Sequence, residues 1–211
     1  MLRRRLRVGV PLALALALAG CASLLTDSPK PLFQLTPKST FPVGLPRMQG
    51  QLLVDLPLAP GGLDTNRIAL SRSPVSLDYF ADGEWTDPAP RLVQTELLES
   101  FENSHTVTAL DRETIGLSAD FVLKSELRHF EAVYDSSNGP PQVWVVLNVR
   151  LVKMPERQII AEQSFESKEP ASANRLNDIV LTFDEALGKV MKEAVTWTVT
   201  NPALRERPRR L

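Results

Sequence analysis

Apolar and polar side chains alternate along the second half of the chain with the two-residue period of half-buried strands. In the longest alternation, every odd-numbered position from Val143 to Leu151 is Val or Leu. A similar run occupies residues 119–128, and residues 158–167 follow the turn at Met154–Arg157. Short connections between consecutive strands indicate an antiparallel meander with one buried face and one wetter face.

Shorter alternating runs mark the rest of the predicted sheet. We expect short strands at residues 33–35, 51–58, 68–71, 75–80 and 106–110. The dipeptide Asp82-Gly83 is typical of a tight turn. It predicts that the runs at 68–71 and 75–80 are hairpin arms or adjacent strands.

Two segments instead repeat their apolar residues every three or four positions, as amphipathic helices do. The first has Asp87 as its expected N-cap and Pro88 at its first helical position, and it ends near Asn103. The second extends from about Asn174 to Thr198. The order of strands, helix, strands and helix predicts an α+β domain, a mostly antiparallel sheet with both helices packed on one face.

Residues 1–20 have the pattern of a secretory signal, with four arginines followed by the apolar run Val8–Ala19, which is too short for a stop-transfer helix. The tetrapeptide Leu18-Ala19-Gly20-Cys21 resembles the lipobox of bacterial lipoproteins. This resemblance implies a diacylglycerol on the sulfur of Cys21, cleavage before it, and an acyl chain on the new amino terminus. The alternative is an ordinary signal peptide that carries a cysteine.

The remaining chain divides into a lipidated cysteine with its tether at 21–32, one domain at 33–200, and a basic tail at 201–211. The polar residues 22–31 reach roughly 33 Å at most, so the domain should lie close to its membrane. In bacterial lipoprotein sorting, Asp after the cysteine favours inner-membrane retention. Ala22 therefore favours the outer membrane over the inner, with the domain facing the periplasm. The tail is either a solvated end or a functional segment, namely a basic docking strand or a contact with lipid headgroups.

The charge balance argues against nucleic acid as a partner. Residues 1–20 contain four arginines and no acidic residue, so the rest of the chain has 20 basic and 25 acidic side chains and a formal net charge of −5. Phosphate-backbone binding requires an excess of Lys and Arg on one face. Cys21 is the only cysteine, so no intrachain disulfide can form.

The sequence contains no recognisable catalytic, metal or cofactor motif. Neither a phosphate-binding Gly-rich loop nor a Gly-x-Ser-x-Gly elbow is present. His105 and His129 lack helical ligand partners and are expected to be ordinary surface or edge residues. Glu96 and Glu99 are expected on the solvated side of the first helix. We therefore predict a protein that is not an enzyme and has no cofactor beyond the acyl groups on Cys21.

Four aromatic residues are candidates for contact with a partner or with lipid. Tyr79, Phe80 and Trp85 precede the first helix. Trp85 either joins the strand end to the helix start, with its indole N–H bonded to backbone, or forms with the other two an apolar lip. Trp144, beside Val146, is expected on the sheet face opposite the Val143–Leu151 stripe and is a candidate interaction surface there.

The spacing of several residues is similar to a known family. The motifs are Leu63-Asp64-x-x-x-Ile68-x-x-x-Arg72, Leu77-x-Tyr79-x-x-x-x-x-Trp85-x-Asp87-Pro88 and Leu92-Val93-Gln94. Together they resemble the ABC-type transport auxiliary lipoproteins, the PqiC-like partners of MCE (mammalian cell entry) lipid transport systems, over Phe33–Thr198. Two departures are Thr65, where arginine is common, and Phe33 in place of tyrosine.

This resemblance implies a role in transport. The chain would be a non-catalytic adaptor that docks the periplasmic conduit of a phospholipid transporter at the outer membrane. Its partners would be an MCE-domain protein, an ABC permease and a cytoplasmic ATPase. Because family members can form rings, a homo-oligomeric ring is a further expectation. The alternative is a stand-alone periplasmic lipid-binding or assembly lipoprotein that is not coupled to an ATPase.

Overall fold

A computed structural model describes residues 29–107, 110–112, 119–135 and 139–204. The predicted signal peptide, Cys21, most of the basic tail and part of the predicted strand 106–110 lie outside the described residues. The described strands are β1 (Leu32–Phe33), β2 (Leu52–Val54), β3 (Arg67–Ser71), β4 (Asp78–Trp85), β5 (Leu110–Arg112), β6 (Phe121–Val133), β7 (Gln142–Lys153) and β8 (Gln158–Pro170). The described helices are α1 (Ala89–Ser104), α2 (Leu176–Thr200) and a 3-10 turn (Pro202–Leu204).

Strand β6 is the centre of one sheet. On one side, β6, β7 and β8 form the predicted antiparallel meander. On the other side, β2 pairs with the beginning of β6 and β3 with its end, and both pairings are parallel. Strand β5 pairs with β2, and β1 pairs with β4, both in parallel. Strands β3 and β4 pair antiparallel.

The sheet is therefore mixed, and the prediction of a mostly antiparallel sheet was wrong. The parallel pairings arise because β2 and β3 reach β6 through long connections that include α1, and a parallel pair requires such a crossover. Alternation of apolar residues identifies a strand and its buried face, but it contains no information about the direction of the neighbouring strand.

Strand β4 continues through the dipeptide for which we predicted a turn. Gly83 is buried, and a Cβ atom at this position would lie 2.5 Å from the Phe33 ring and 2.7 Å from a methyl group of Leu176. The glycine is required by close packing and not by a turn, so the predicted turn at Asp82-Gly83 was wrong. The predicted adjacency of the two runs is confirmed by the β3–β4 pairing.

Both helices lie close to their predicted bounds and share one core. Helix α1 starts after Pro88, which occupies the N-cap position, and no side chain caps it, so the expected cap by Asp87 was wrong. The buried faces of α1 and α2 join the odd-numbered stripe of β7 in one apolar cluster. Three aromatic rings meet there: Phe183 of α2 lies 5.3 Å from Trp85 and 5.0 Å from Phe130, measured between ring centroids.

The chain from Pro31 onwards groups as one unit, in agreement with the predicted single α+β domain. The two helices lie on the sheet face that carries the Val143–Leu151 stripe. The opposite face carries the intervening residues of β7, and it contains the candidate functional site.

Candidate functional site

A groove lies on the sheet face opposite the helices, and we call it the outer groove. Its volume is about 770 Å³, within the roughly 300–1,000 Å³ typical of small-molecule sites. Outward-facing side chains of β6 and β7 form the floor, and the segment 71–77 between β3 and β4 forms a wall together with Pro60 and Leu63. The lining residues that come from β6, from the two residues after it and from β7 are Arg128, His129, Glu131, Val133, Tyr134, Asp135 and Trp144.

A β-bulge shapes the floor of the outer groove. Leu127 pairs with Leu147 and His129 pairs with Val146, so Arg128 is an extra residue in β6. Such a bulge interrupts the alternation of side chains, and Arg128 and His129 both line the groove although they are consecutive. The bulge was not predicted, although its signal in the sequence is the three-residue spacing of Leu127 and Phe130, which are both fully buried.

Trp144 is held in place by its neighbours on both adjacent strands. Its ring stacks on that of His129, with centroids 3.4 Å apart and an interplanar angle of 14°. Lys168 of β8 places its Nζ 4.0 Å from the Trp144 ring centroid, and the indole N–H donates a hydrogen bond of 2.8 Å to Glu166. Trp144 lies opposite the Val143–Leu151 stripe, where we predicted it, and its role as a contact stays a prediction.

His129 belongs to a polar network and is not the ordinary surface residue that we expected. Its Nδ1 lies 2.7 Å from Oε1 of Glu131. The other carboxylate oxygen of Glu131 accepts the backbone N–H of Phe130 at 2.7 Å. Glu131 is buried, and a buried carboxylate needs such partners. Both of its oxygens are therefore engaged at the groove floor.

The wall of the outer groove combines exposed aliphatic side chains with a cation. Val75 is fully exposed and Leu77 is partly exposed. The loop that carries them is closed by a hydrogen bond of 3.1 Å from the Ser76 N–H to the Ser73 carbonyl. The guanidinium of Arg72 lies 4.9 Å from the centroid of the Tyr134 ring. Among the described residues, no carboxylate forms an ion pair with Arg72.

The three other aromatic candidates do not form one lip. Trp85 is only 1% exposed and packs in the core, so it cannot contribute to a surface contact. Among the described residues its indole N–H has no partner, so the expected bond to backbone is absent. Tyr79 is half-buried, donates its hydroxyl to the Gly62 carbonyl at 2.9 Å and has the Arg67 guanidinium over its ring. Phe80 is half-buried against the core.

Glu96 of α1 is buried, and the prediction of a solvated position was wrong. It is 3% exposed, and its Oε2 has no hydrogen-bond partner among the described residues. Burial, followed by the nearby charges of Glu99 and Asp184, raises the pKa of Glu96 to about 7. The segment near Lys38 covers this side of α1, since the Lys38 N–H donates to Ser100 at 2.9 Å.

Two negative findings apply only to the described part of the chain. No cluster of three or more His, Cys, Asp or Glu residues within it has a geometry suited to a metal ion. None of its helices combines the length and apolar character needed to cross a membrane.

The family model for the ABC-type transport auxiliary lipoprotein component matches residues 33–195. The chain belongs to this family. The family name associates its members with ABC-type transporters and, as lipoproteins, with the cell envelope. The match begins at Phe33, where the resemblance in the sequence also begins.

The chain is also similar to individual proteins. An uncharacterized protein of Bradyrhizobium diazoefficiens is 31% identical over 158 residues, and the chain spans only 40% of the length of that relative. A crystal structure of a Xanthomonas campestris protein superposes with a TM-score of 0.70 at 26% identity, covering 81% of this chain and 93% of that one. A second solved structure, of an uncharacterized protein, shares the fold with a TM-score of 0.60 at 16% identity, over 80% of this chain and 97% of its own length.

Proposed function

We propose that this family member is a non-catalytic lipoprotein component of an MCE/ABC-type system that moves phospholipid between membranes. Its role is to dock the periplasmic conduit at the outer membrane. The observation that carries this proposal is the family match over residues 33–195, which covers nearly the whole domain. The Leu18-Ala19-Gly20-Cys21 motif supports it independently, because a lipid anchor fits a protein that works at a membrane surface.

The proposed anchor fixes where the domain acts. Acyl chains on Cys21 would hold the protein by the hydrophobic effect, at ~0.8 kcal/mol for each buried methylene. The short tether then keeps the domain near one leaflet and raises its effective concentration for a partner that arrives from the other membrane. Because Ala22 and not Asp follows the cysteine, we place this leaflet in the outer membrane.

The proposed partners are the MCE-domain protein, the ABC permease and the ATPase of one transporter. Exposed aliphatic residues on the domain suit protein docking, and they include Leu56 and Leu58 between β2 and β3. A homo-oligomeric ring remains part of the proposal, because a ring of copies would surround the end of a conduit symmetrically.

The second candidate is a stand-alone lipid-binding or assembly lipoprotein that acts without an ATPase. The outer groove supports this candidate, since a lipid carrier needs a pocket of its own. The two candidates differ in their partners and not in their fold.

Affinity purification after crosslinking in cells distinguishes the two functions. The full chain carrying a C-terminal tag should recover an MCE-domain protein together with a permease and an ATPase. The Cys21→Ser variant is the matched control, and we expect it to recover much less of these partners. Recovery of no MCE-domain protein by the wild-type chain would contradict the transporter assignment and leave the stand-alone function.

A further inference from the structure

We propose that the outer groove binds one acyl chain of a phospholipid, with the lipid phosphate at Arg72 and the chain along the aliphatic wall. This inference rests on the proposed function, because it identifies what the lipoprotein itself handles within a phospholipid transport system. It goes beyond docking, since it assigns this domain direct contact with the transported lipid.

The size and lining of the outer groove suit a single alkyl chain. A volume of about 770 Å³ accommodates a ligand of drug-like size, which suits one acyl chain better than a complete two-chain lipid. Pro60, Leu63, Pro74, Val75 and Leu77 supply aliphatic atoms to its walls. Val75 has 96% of its surface exposed in a loop that is closed by hydrogen bonds, so its apolar surface is presented to solvent. An alkyl chain would remove this surface from water.

A cation at the groove suits the phosphate of a lipid. Arg72 lies over the Tyr134 ring and forms no ion pair with a carboxylate of the described residues. A guanidinium offers paired donors that match a phosphate group. Arg128, in contrast, is already paired with Glu126 at 3.1 Å. Arg72 is therefore the cation of this groove that is best placed to receive a phosphate.

The acidic residues of the lining have different consequences for a bound anion. The carboxylate of Glu131 is held by the His129 ring and by a backbone N–H, so both of its oxygens already have partners. Asp135 is exposed and also lines the groove, so its charge opposes the attraction of Arg72. Neutralising Asp135 should therefore strengthen phosphate binding, and neutralising Arg72 should weaken it.

The outer groove does not suit an extended peptide or free phosphate. Its floor is the face of a sheet, where the backbones of β6 and β7 are paired with each other. An extended peptide that adds a strand needs a free sheet edge, which this floor does not offer. Free inorganic phosphate would satisfy Arg72 but leave Val75 and Leu77 in water. A phospholipid meets both requirements.

Photocrosslinking in cells tests the inference on the full chain together with its partners. The photoreactive amino acid p-benzoylphenylalanine replaces Val75 in the groove wall or, as the matched control, Val43. Both valines are fully exposed, but Val43 does not line the outer groove. Phospholipids are labelled with radioactive phosphate, and the diacylglycerol expected on Cys21 contains no phosphorus and adds no label.

We expect the probe at position 75 to acquire several-fold more radioactive lipid than the probe at position 43. Arg72→Gln should lower this labelling several-fold, and Asp135→Asn should raise it. Equal labelling at both positions, or a protein as the crosslinked species at position 75, would overturn the inference. Unchanged labelling in Arg72→Gln would overturn the placement of the phosphate.

The same cells separate this inference from the proposed function. The tagged chain is also assayed for the MCE-domain protein, permease and ATPase. If these partners are recovered while position 75 remains unlabelled, the groove assignment fails and the transporter assignment stands. If position 75 is labelled while the partners are absent, the groove assignment stands and the stand-alone function replaces the transporter.

Discussion

The indole of Trp144 and the imidazole of His129 stack across β6 and β7 at 3.4 Å between ring centroids. The contact depends on the bulge at Arg128, which brings His129 opposite Val146 and turns its side chain to the outer groove. Trp144 and His129 were predicted separately, but in the structure they form one stacked pair on the groove floor. The pair fixes the position of Trp144 within the site.

A double-mutant cycle on this pair should reveal a direct coupling. We expect His129→Ala and Trp144→Ala each to lower the free energy of unfolding, and the double variant to lose less than the sum. The coupling should be about 0.5–1.5 kcal/mol, the range for paired aromatic rings. Urea unfolding of the four proteins measures it, and strictly additive losses would show that the stack does not contribute.

Gly83 should tolerate no larger residue. Gly83→Ala is expected to lower the free energy of unfolding by about 1–3 kcal/mol, because the new methyl group would overlap the Phe33 ring and Leu176. Gly61→Ala is the control, since a Cβ there meets no atom within 4 Å. Thermal or urea unfolding compares the two variants. Equal stability of both would show that β1 and α2 do not pack against β4 as described.

Glu96 should make the stability of the domain fall as the pH rises. Its pKa is about 7 in the folded protein and near 4.5 in the unfolded chain, so the folded state binds more protons between these values. The stabilisation is fully present below pH 4.5 and is lost as the pH rises through 7. The total change is about 3 kcal/mol at 25 °C.

Urea unfolding between pH 4.5 and pH 8 measures this dependence. Glu96→Gln should flatten the profile and make the protein more stable than the wild type at pH 8, because a neutral amide replaces a buried charge. Glu102→Gln, which changes an exposed carboxylate on the same helix, should leave the slope unchanged. A slope that persists in Glu96→Gln would assign the effect to another group.

Lipidation should require the sulfur atom of Cys21. The wild-type chain is expected to incorporate labelled palmitate and to fractionate with membranes, whereas Cys21→Ser should do neither. Metabolic labelling followed by membrane fractionation checks both properties. Persistent membrane association of unlabelled Cys21→Ser protein would reveal a second anchor.

Much of the fold could be predicted from local patterns. The stripe from Val143 to Leu151 identified the buried face of β7, and the apolar spacing located both helices within about two residues of their bounds. The meander of β6, β7 and β8 followed from short connections. These features depend on side chains that are close in sequence, so periodicity and connection length suffice to predict them.

The features that were missed depend on contacts between distant residues. The parallel pairing of β2 and β3 with β6 brings together segments separated by more than 60 residues. The need for glycine at position 83 arises from Phe33 and Leu176, and the segment near Lys38 covers α1 at Ser100, one turn after the buried Glu96. Of the candidate contact residues, Trp144 was placed on the right face, whereas Arg72 and His129 were not recognised as part of the groove.

The rate of phospholipid transfer between the two membranes tests the central claim most directly. A pulse of labelled phospholipid precursor, followed by separation of inner and outer membranes, measures this rate in cells that lack the chain and in complemented cells. We predict that loss of the chain changes the rate, that the wild-type chain restores it, and that Cys21→Ser does not. An identical rate in all of these cells would contradict the proposed role in lipid transport.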